Sequence, residues 1–313
     1  MSAITPLTDE MLRHRLDAAL AQVNGVLLGK PRQVKLAFAC LVAGGHLLLE
    51  DVPGVGKTTL AQALAATFDL AFQRIQFTSD LLPSDIIGVS VYERETSEFR
   101  FHPGPIFTSL LLADEINRAT PKSQSALLEA MAEGQATVDG TTYELPKPFF
   151  VVATQNPLDL AGTFPLPDSQ LDRFMLRLSL DYPDPAAERA LLIGEDRRDV
   201  VATLRPRLDA EAIAHLRGAA QRVKATGALL DYLQALLAAS RKHNDVRVGL
   251  SPRAGLAILA ASRAWALISG RDHVIPEDVQ TVFVPAAAHR LVPGRGSHRE
   301  AIARAILADT AVP

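Results

Sequence analysis

Short apolar runs alternate with longer stretches of helical period through the first 180 residues. The runs at 46–49, 109–113 and 149–154 are too short for helices and read as buried strands. The stretch AFQRIQF at 71–77 alternates as a strand does, and 174–180 supplies a fifth. Helical spacing begins at Lys57 and fades near Phe68, resumes over 122–133 with Ala126, Leu127, Ala130 and Met131 inward, and returns briefly over 166–173. Two helices precede the first strand. Thr8 caps one that aligns Leu12, Leu16, Leu20 and Val23 and ends near Asn24-Gly25; the next, over 32–43, carries Val34, Ala37, Phe38 and Leu41. The whole predicts a parallel α/β sheet flanked by helices.

Two segments interrupt this alternation. Residues 88–94 and 98–102 flank a polar turn at 95–97, and 134–145 folds around Asp139-Gly140, so each is a predicted β-hairpin. At 181–185 (DYPDP) two prolines block helix and sheet alike. Beyond them the chain is alanine-rich and helical over 186–195, 209–223, 228–242, 252–268 and 276–288. Ser251 caps the fourth of these segments, Pro252 opens it and Gly270 ends it. The expected division is an α/β domain over 1–182 and a helical domain over 183–313. The lone tryptophan, Trp265, shares helical spacing with Leu256, Leu259 and Ala260 and is expected in the core.

The chemistry concentrates where the first strand stops. In GGHLLLEDVPGVGKTTL (44–60) the apolar run meets Asp51 and turns through glycines into a helix, the layout of a phosphate-binding loop. Gly54 and Gly56 let backbone N–H groups curl around an anion, with Pro53 and Val55 between and before them. Lys57 offers a point charge to the β- and γ-phosphates, the Thr58 hydroxyl completes a magnesium shell, and Thr59 follows in the first helical turn. Asp51 stands where G-x-x-x-x-G-K-[ST] asks for glycine, and Pro53-Gly54 supplies the tight turn instead. The strand at 109–113 runs into Asp114-Glu115: Asp114 for magnesium through water, Glu115 to polarise the attacking water. Asn156, after the strand at 149–154, is placed either to touch the γ-phosphate or simply to start a turn before Pro157. Residues 26–29 either pack on adenine or form an apolar turn between helices.

Composition narrows the classes. The 313 residues are 48% apolar and 21% charged, ordinary for a globular protein. A formal charge of −3 argues against a mainly electrostatic nucleic-acid binder, and no apolar run approaches the ~20 residues of a membrane span. The N-terminus lacks a signal-peptide segment, so a cytoplasmic location is expected. Cys40, the single cysteine, excludes disulfides within the chain and a cysteine-based metal site, and lies in an apolar stretch as a buried thiol.

These motifs resemble those of the MoxR family of AAA+ ATPases: GGHLLLEDVPGVGKT, FRFHPGPIF, LLADEINRATPKSQSALLEAM, VVATQNP and QLDRF, with LSPRAGLAIL continuing the match more loosely into the helical tail. The resemblance implies a P-loop ATPase with a helical lid, ATP and Mg2+ in the cleft between sheet and lid, and a homo-oligomeric, hexameric ring. It implies that the hairpins are the helix-2 and pre-sensor-1 inserts. It makes Asn156 the sensor-1 residue, Arg173 an arginine reaching the neighbouring subunit's ATP, and Arg253 the sensor-2 arginine of the lid. Arg118 would lie near the subunit interface. Three functions compete: a chaperone-like ATPase acting on a protein client with a von Willebrand factor A domain partner, the motor subunit of a magnesium-chelatase-like enzyme, and a nucleic-acid motor. The last is disfavoured by the missing basic run.

Overall fold

The computed structural model describes residues 9–158, 162–294 and 298–312. The expected Thr8 cap lies outside them. Two helices, α1 (Asp9–Val26) and α2 (Pro31–Val42), lead into β1 (Leu47–Glu50), the loop, and α3 (Lys57–Thr67). After β2 (Phe72–Gln76) the short α4 (Pro83–Ile87) precedes the hairpin β3 (Gly88–Glu93) and β4 (Glu98–Pro103). Next come β5 (Leu110–Asp114), a 3-10 turn (Ile116–Arg118) and α5 (Pro121–Glu133). The second hairpin, β6 (Gln135–Val138) and β7 (Thr141–Glu144), is followed by β8 (Phe150–Gln155), α6 (Asp168–Leu171) and β9 (Leu176–Leu178).

The five main strands pair in parallel in the order β2-β5-β8-β1-β9. Their alternation divides the core between two faces. Leu47, Leu49, Leu110, Leu112 and Val152 face α1, α2 and α3, while Leu48, Leu111, Ala113, Val151 and Ala153 face α5 and Ile86 of α4. Within α5 the inward residues are Ser123, Gln124, Leu127, Leu128, Ala130 and Met131, with Ala126 only half-buried.

The tail begins with α7 (Pro185–Ile193) and α8 (Arg197–Ala202), continues through α9 (Ala210–Arg222) and α10 (Gly227–Lys242), and crosses to α11 (Pro252–Ile268) after β10 (Val246–Val248). It closes with α12 (Pro276–Ala287), a 3-10 turn (Ala288–Arg290), β11 (Val292–Pro293) and α13 (Arg299–Asp309). The starts of five of these helices follow from side-chain caps that accept a backbone N–H: Asp184 from Ala187, Asp196 from Arg198, Asp209 from Ala212, Thr226 from Leu229 and Ser251 from Ala254. Helices α8 and α13 and the β10–β11 pair have no counterpart in the sequence reading. Trp265 is half-buried against the core with Lys35 Nζ 4.3 Å from its ring centre; Leu256, expected on the same packed face, is 69% exposed and corrects that grouping. Helix α11 packs on α2 and α9, and α12 lies along the β9 edge, so the tail shares one continuous apolar core with α1 and α2.

Candidate nucleotide site

The loop after β1 has the backbone its glycines imply. Gly54 and Gly56 adopt φ of +86° and +100°, where a side chain is strained. A Cβ on Gly54 would meet nothing within 4 Å, so conformation alone demands glycine there; at Gly56 it would also come 3.0 Å from Leu27 Cδ1. The 26–29 turn therefore lies against the loop. Gly56 precedes α3 without a side-chain cap, leaving the first-turn N–H groups of Lys57, Thr58 and Thr59 for an anion. Lys57 Nζ donates to the carbonyls of Asp51 and of Val52, the latter at 3.1 Å.

Asp51 needs correction as a nucleotide contact. Its carboxylate is buried and turned into the protein, where Oδ1 accepts from Val52 N–H (2.8 Å) and Oδ2 from Ser179 Oγ (2.9 Å) and the N–H groups of Leu180 and Asp181 (both 2.7 Å). A buried carboxylate is stable only with such donors. Asp51 thus ties the loop to the end of β9, and buried Lys30 adds a bond from Nζ to the Tyr182 carbonyl (2.7 Å). Beside this junction a cleft of about 930 Å3 opens between the strand ends and the tail, lined by Gln33, Glu50, Ser179, Gln280 and Leu307.

Asp114 and Glu115 end β5 in a dense set of donors. Thr154 Oγ donates to Asp114 Oδ1 at 2.6 Å and accepts the Glu115 N–H at 2.9 Å. Arg74 grips Asp114 Oδ2 through Nε (3.1 Å) and Nη2 (2.6 Å). Glu115 has φ +57°, a costly conformation for a non-glycine residue and one found where a side chain must be aimed. Its Oε2 accepts from Gln76 Nε2 (2.9 Å) and pairs with Arg118 Nε (2.9 Å). Sequence reasoning missed Arg74, Gln76 and Thr154. The signal was present, since Arg74 and Gln76 are alternate polar positions of β2, and Gln76 is in register with Asp114. Asn156 is buried, and its Oδ1 accepts the Leu158 N–H (3.1 Å), the turn-starting geometry.

The two arginines lie elsewhere. Leu47 pairs with Leu176, and Met175 N–H donates to the His46 carbonyl, so Arg173 sits at the amino edge of the sheet. The loop leaves the carboxyl end of β1, about 13 Å away at ~3.3 Å per residue over the strand. Arg173 Nη1 donates to the Leu128 carbonyl of α5 (3.1 Å). Arg253 is placed with it rather than over the loop: its Nε is 3.9 Å from Asp172 Oδ2. The reason is the direction of α11. Its far end is fixed beside the start of α2 by Lys35 Nζ to Ser269 Oγ (2.7 Å), and the 16 residues from Arg253 to Ser269 span about 24 Å at ~1.5 Å each. Arg253, the lid arginine singled out in the sequence, therefore stands beside Asp172 at the amino edge of the sheet.

Residues 46–176 match the family described as ATPases associated with various cellular activities (AAA), and 238–310 match the AAA lid domain. The uncharacterized protein YeaC of Bacillus subtilis is 45% identical over 97% of both chains. Chaperone MoxR1 of Mycobacterium tuberculosis is 41% identical, covering 89% of this chain and 76% of its own, and protein MoxR of Paracoccus denitrificans is 32% identical over 94% of each. A crystal structure from Cytophaga hutchinsonii, provisionally assigned as an ATPase, superposes with a TM-score of 0.87 at 33% identity over 97% of both chains. With these full-length likenesses, the parallel five-stranded sheet, the two hairpin inserts and the matched lid, the chain belongs to the MoxR family of AAA+ ATPases.

Proposed function

We propose that this chain hydrolyses ATP in a ring of identical subunits, a hexamer as the family resemblance implies, and uses the turnover to remodel a protein client. The observation that carries the reading is the separation just described: a complete phosphate loop and carboxylate pair at one edge of the sheet, and Arg173 with Arg253 at the other. A site so divided is completed by a neighbour.

The donors suit the ligands. The α3 N-terminus and Lys57 hold the phosphates, while the Thr58 hydroxyl and the Asp114 carboxylate are hard oxygen donors for Mg2+. Asp114, held by Thr154 and Arg74, would present its carboxylate to a bound Mg2+, whose charge would offset that of the phosphates. ATP, when bound, supplies the scissile phosphoanhydride and Mg2+ offsets its charge. Glu115 takes the proton of the attacking water, aimed by Gln76 and Arg118, and Asn156 orients the same water. Arg173 of the adjacent chain faces the charge that develops on the transferred phosphoryl. The hairpins are the client-facing elements: Phe101 of the first stacks on Tyr143 of the second at 4.0 Å, and Phe99 is 74% exposed. The relative named chaperone MoxR1 supports a protein client; the family resemblance adds a von Willebrand factor A domain protein as the partner class.

Turnover per chain measured against protein concentration tests the shared site. The rate is expected to rise steeply where the ring assembles. A dilute monomer with full turnover would overturn the reading.

A further inference from the structure

The segment carrying Arg173 is held by the lid. The Arg290 side chain, 5% exposed, follows α12 and spends its whole guanidinium there. Nε donates to Asp172 Oδ1 (2.6 Å), Nη2 to the carbonyls of Asp172 (3.3 Å) and Phe174 (2.8 Å), and Nη1 to the carbonyls of Met175 (3.0 Å) and Ala286. The buried ring of His289 adds Nε2 to the Phe174 carbonyl (2.9 Å). Arg253 approaches Asp172 from the start of α11. Residues 172–175 are thus bracketed by lid groups on both sides of Arg173, whose own guanidinium rests on the Leu128 carbonyl. Burial draws the Arg290 pKa down and the Asp172 carboxylate opposes that shift, the arrangement of a charge kept in place by a matched fork.

We propose that Arg290 is the positioning residue for Arg173, so that the lid of one chain sets the arginine presented to its neighbour's nucleotide. The inference rests on the shared-site reading above. Its consequence is directional: the lid acts on the next subunit's chemistry through 172–175.

Mixed rings test it. Arg290→Lys keeps the charge and loses the planar fork. It is expected to leave the ATP KM within about twofold and lower kcat about 10²-fold, the cost of a displacement near 1 Å. Mixed with Lys57→Ala chains it should regain activity, because the Lys57→Ala chain brings a well-placed Arg173 to an intact loop. Mixed with Arg173→Ala chains it should regain none. The opposite pattern, complementation of Arg173→Ala but not of Lys57→Ala, would show that Arg290 serves its own chain's site and would overturn the proposal. Asp172→Asn, at a more exposed position, carries the same test with the same outcomes if Arg290→Lys does not fold. The pairing of Arg173→Ala with Lys57→Ala separates the two levels. If those chains exchange subunits and stay inactive, the shared site and this proposal both fall; if they complement while Arg290→Lys sorts with Lys57→Ala, only this proposal falls.

Discussion

Replacing Glu115 by glutamine isolates the chemical step from binding. The carboxylate sits at φ +57° with one oxygen accepting from both Gln76 and Arg118, each at 2.9 Å. Glutamine has the same length and keeps one oxygen for those donors, so the backbone and the aim of the side chain survive. What it loses is the capacity to take a proton. General-base contributions run to about 10²–10⁴-fold, which at ~1.4 kcal/mol per factor of ten is ~3–5.5 kcal/mol of barrier. Nucleotide binding depends on the loop two strands away, so the Kd for ATP is expected within about twofold of the parent. Equilibrium titration with a fluorescent nucleotide and a single-turnover hydrolysis assay read the two quantities apart. Loss of binding together with hydrolysis would refute the assignment and make Glu115 a structural residue.

Lys57→Ala is expected to abolish detectable ATP binding, and unchanged affinity in the same titration would place the phosphates elsewhere. Gly56→Ala forces a side chain to φ +100° with Leu27 Cδ1 3.0 Å away, so denaturant melts are expected to show ~1–2 kcal/mol or more of lost stability; an unaltered midpoint would contradict the strain. His46 is buried behind β1 with Nδ1 accepting from Val151 N–H and Nε2 facing the Met131 carbonyl, and burial lowers its pKa to about 4. Its folded pKa lies below the unfolded value near 6.5, so stability is full above pH 6.5 and falls as pH drops toward 4, by about 3 kcal/mol from this group. An NMR titration showing His46 protonated at pH 6 would exclude it.

Much of the architecture was legible because its signals are local. Buried strands of four to six residues, Ser251-Pro252 at a helix start and Asp139-Gly140 at a hairpin turn each impose a conformation on their own neighbours. The loop glycines announced their backbone for the same reason. What escaped depended on contacts between distant segments. Arg74 and Gln76 gain meaning only when β2 pairs with β5, and Asp51 only when β9 returns beside β1. The position of Arg253 depended on which way α11 points, and helical periodicity is blind to direction. Arg290 and His289 carried no motif, and α13 follows residues without a clear cap.

The apolar core shared by the tail with α1 and α2 bears on how this molecule can be divided. Phe38, Leu41 and Val34 from the N-terminal part lie in one cluster with Ile258, Ala261 and Phe283 from the C-terminal part. Cleaving the chain at the proline-rich connection near 182 would not release two self-sufficient pieces, because each would carry half of a hydrophobic surface made for the other. Two separately expressed fragments would aggregate alone and recover solubility only when co-expressed.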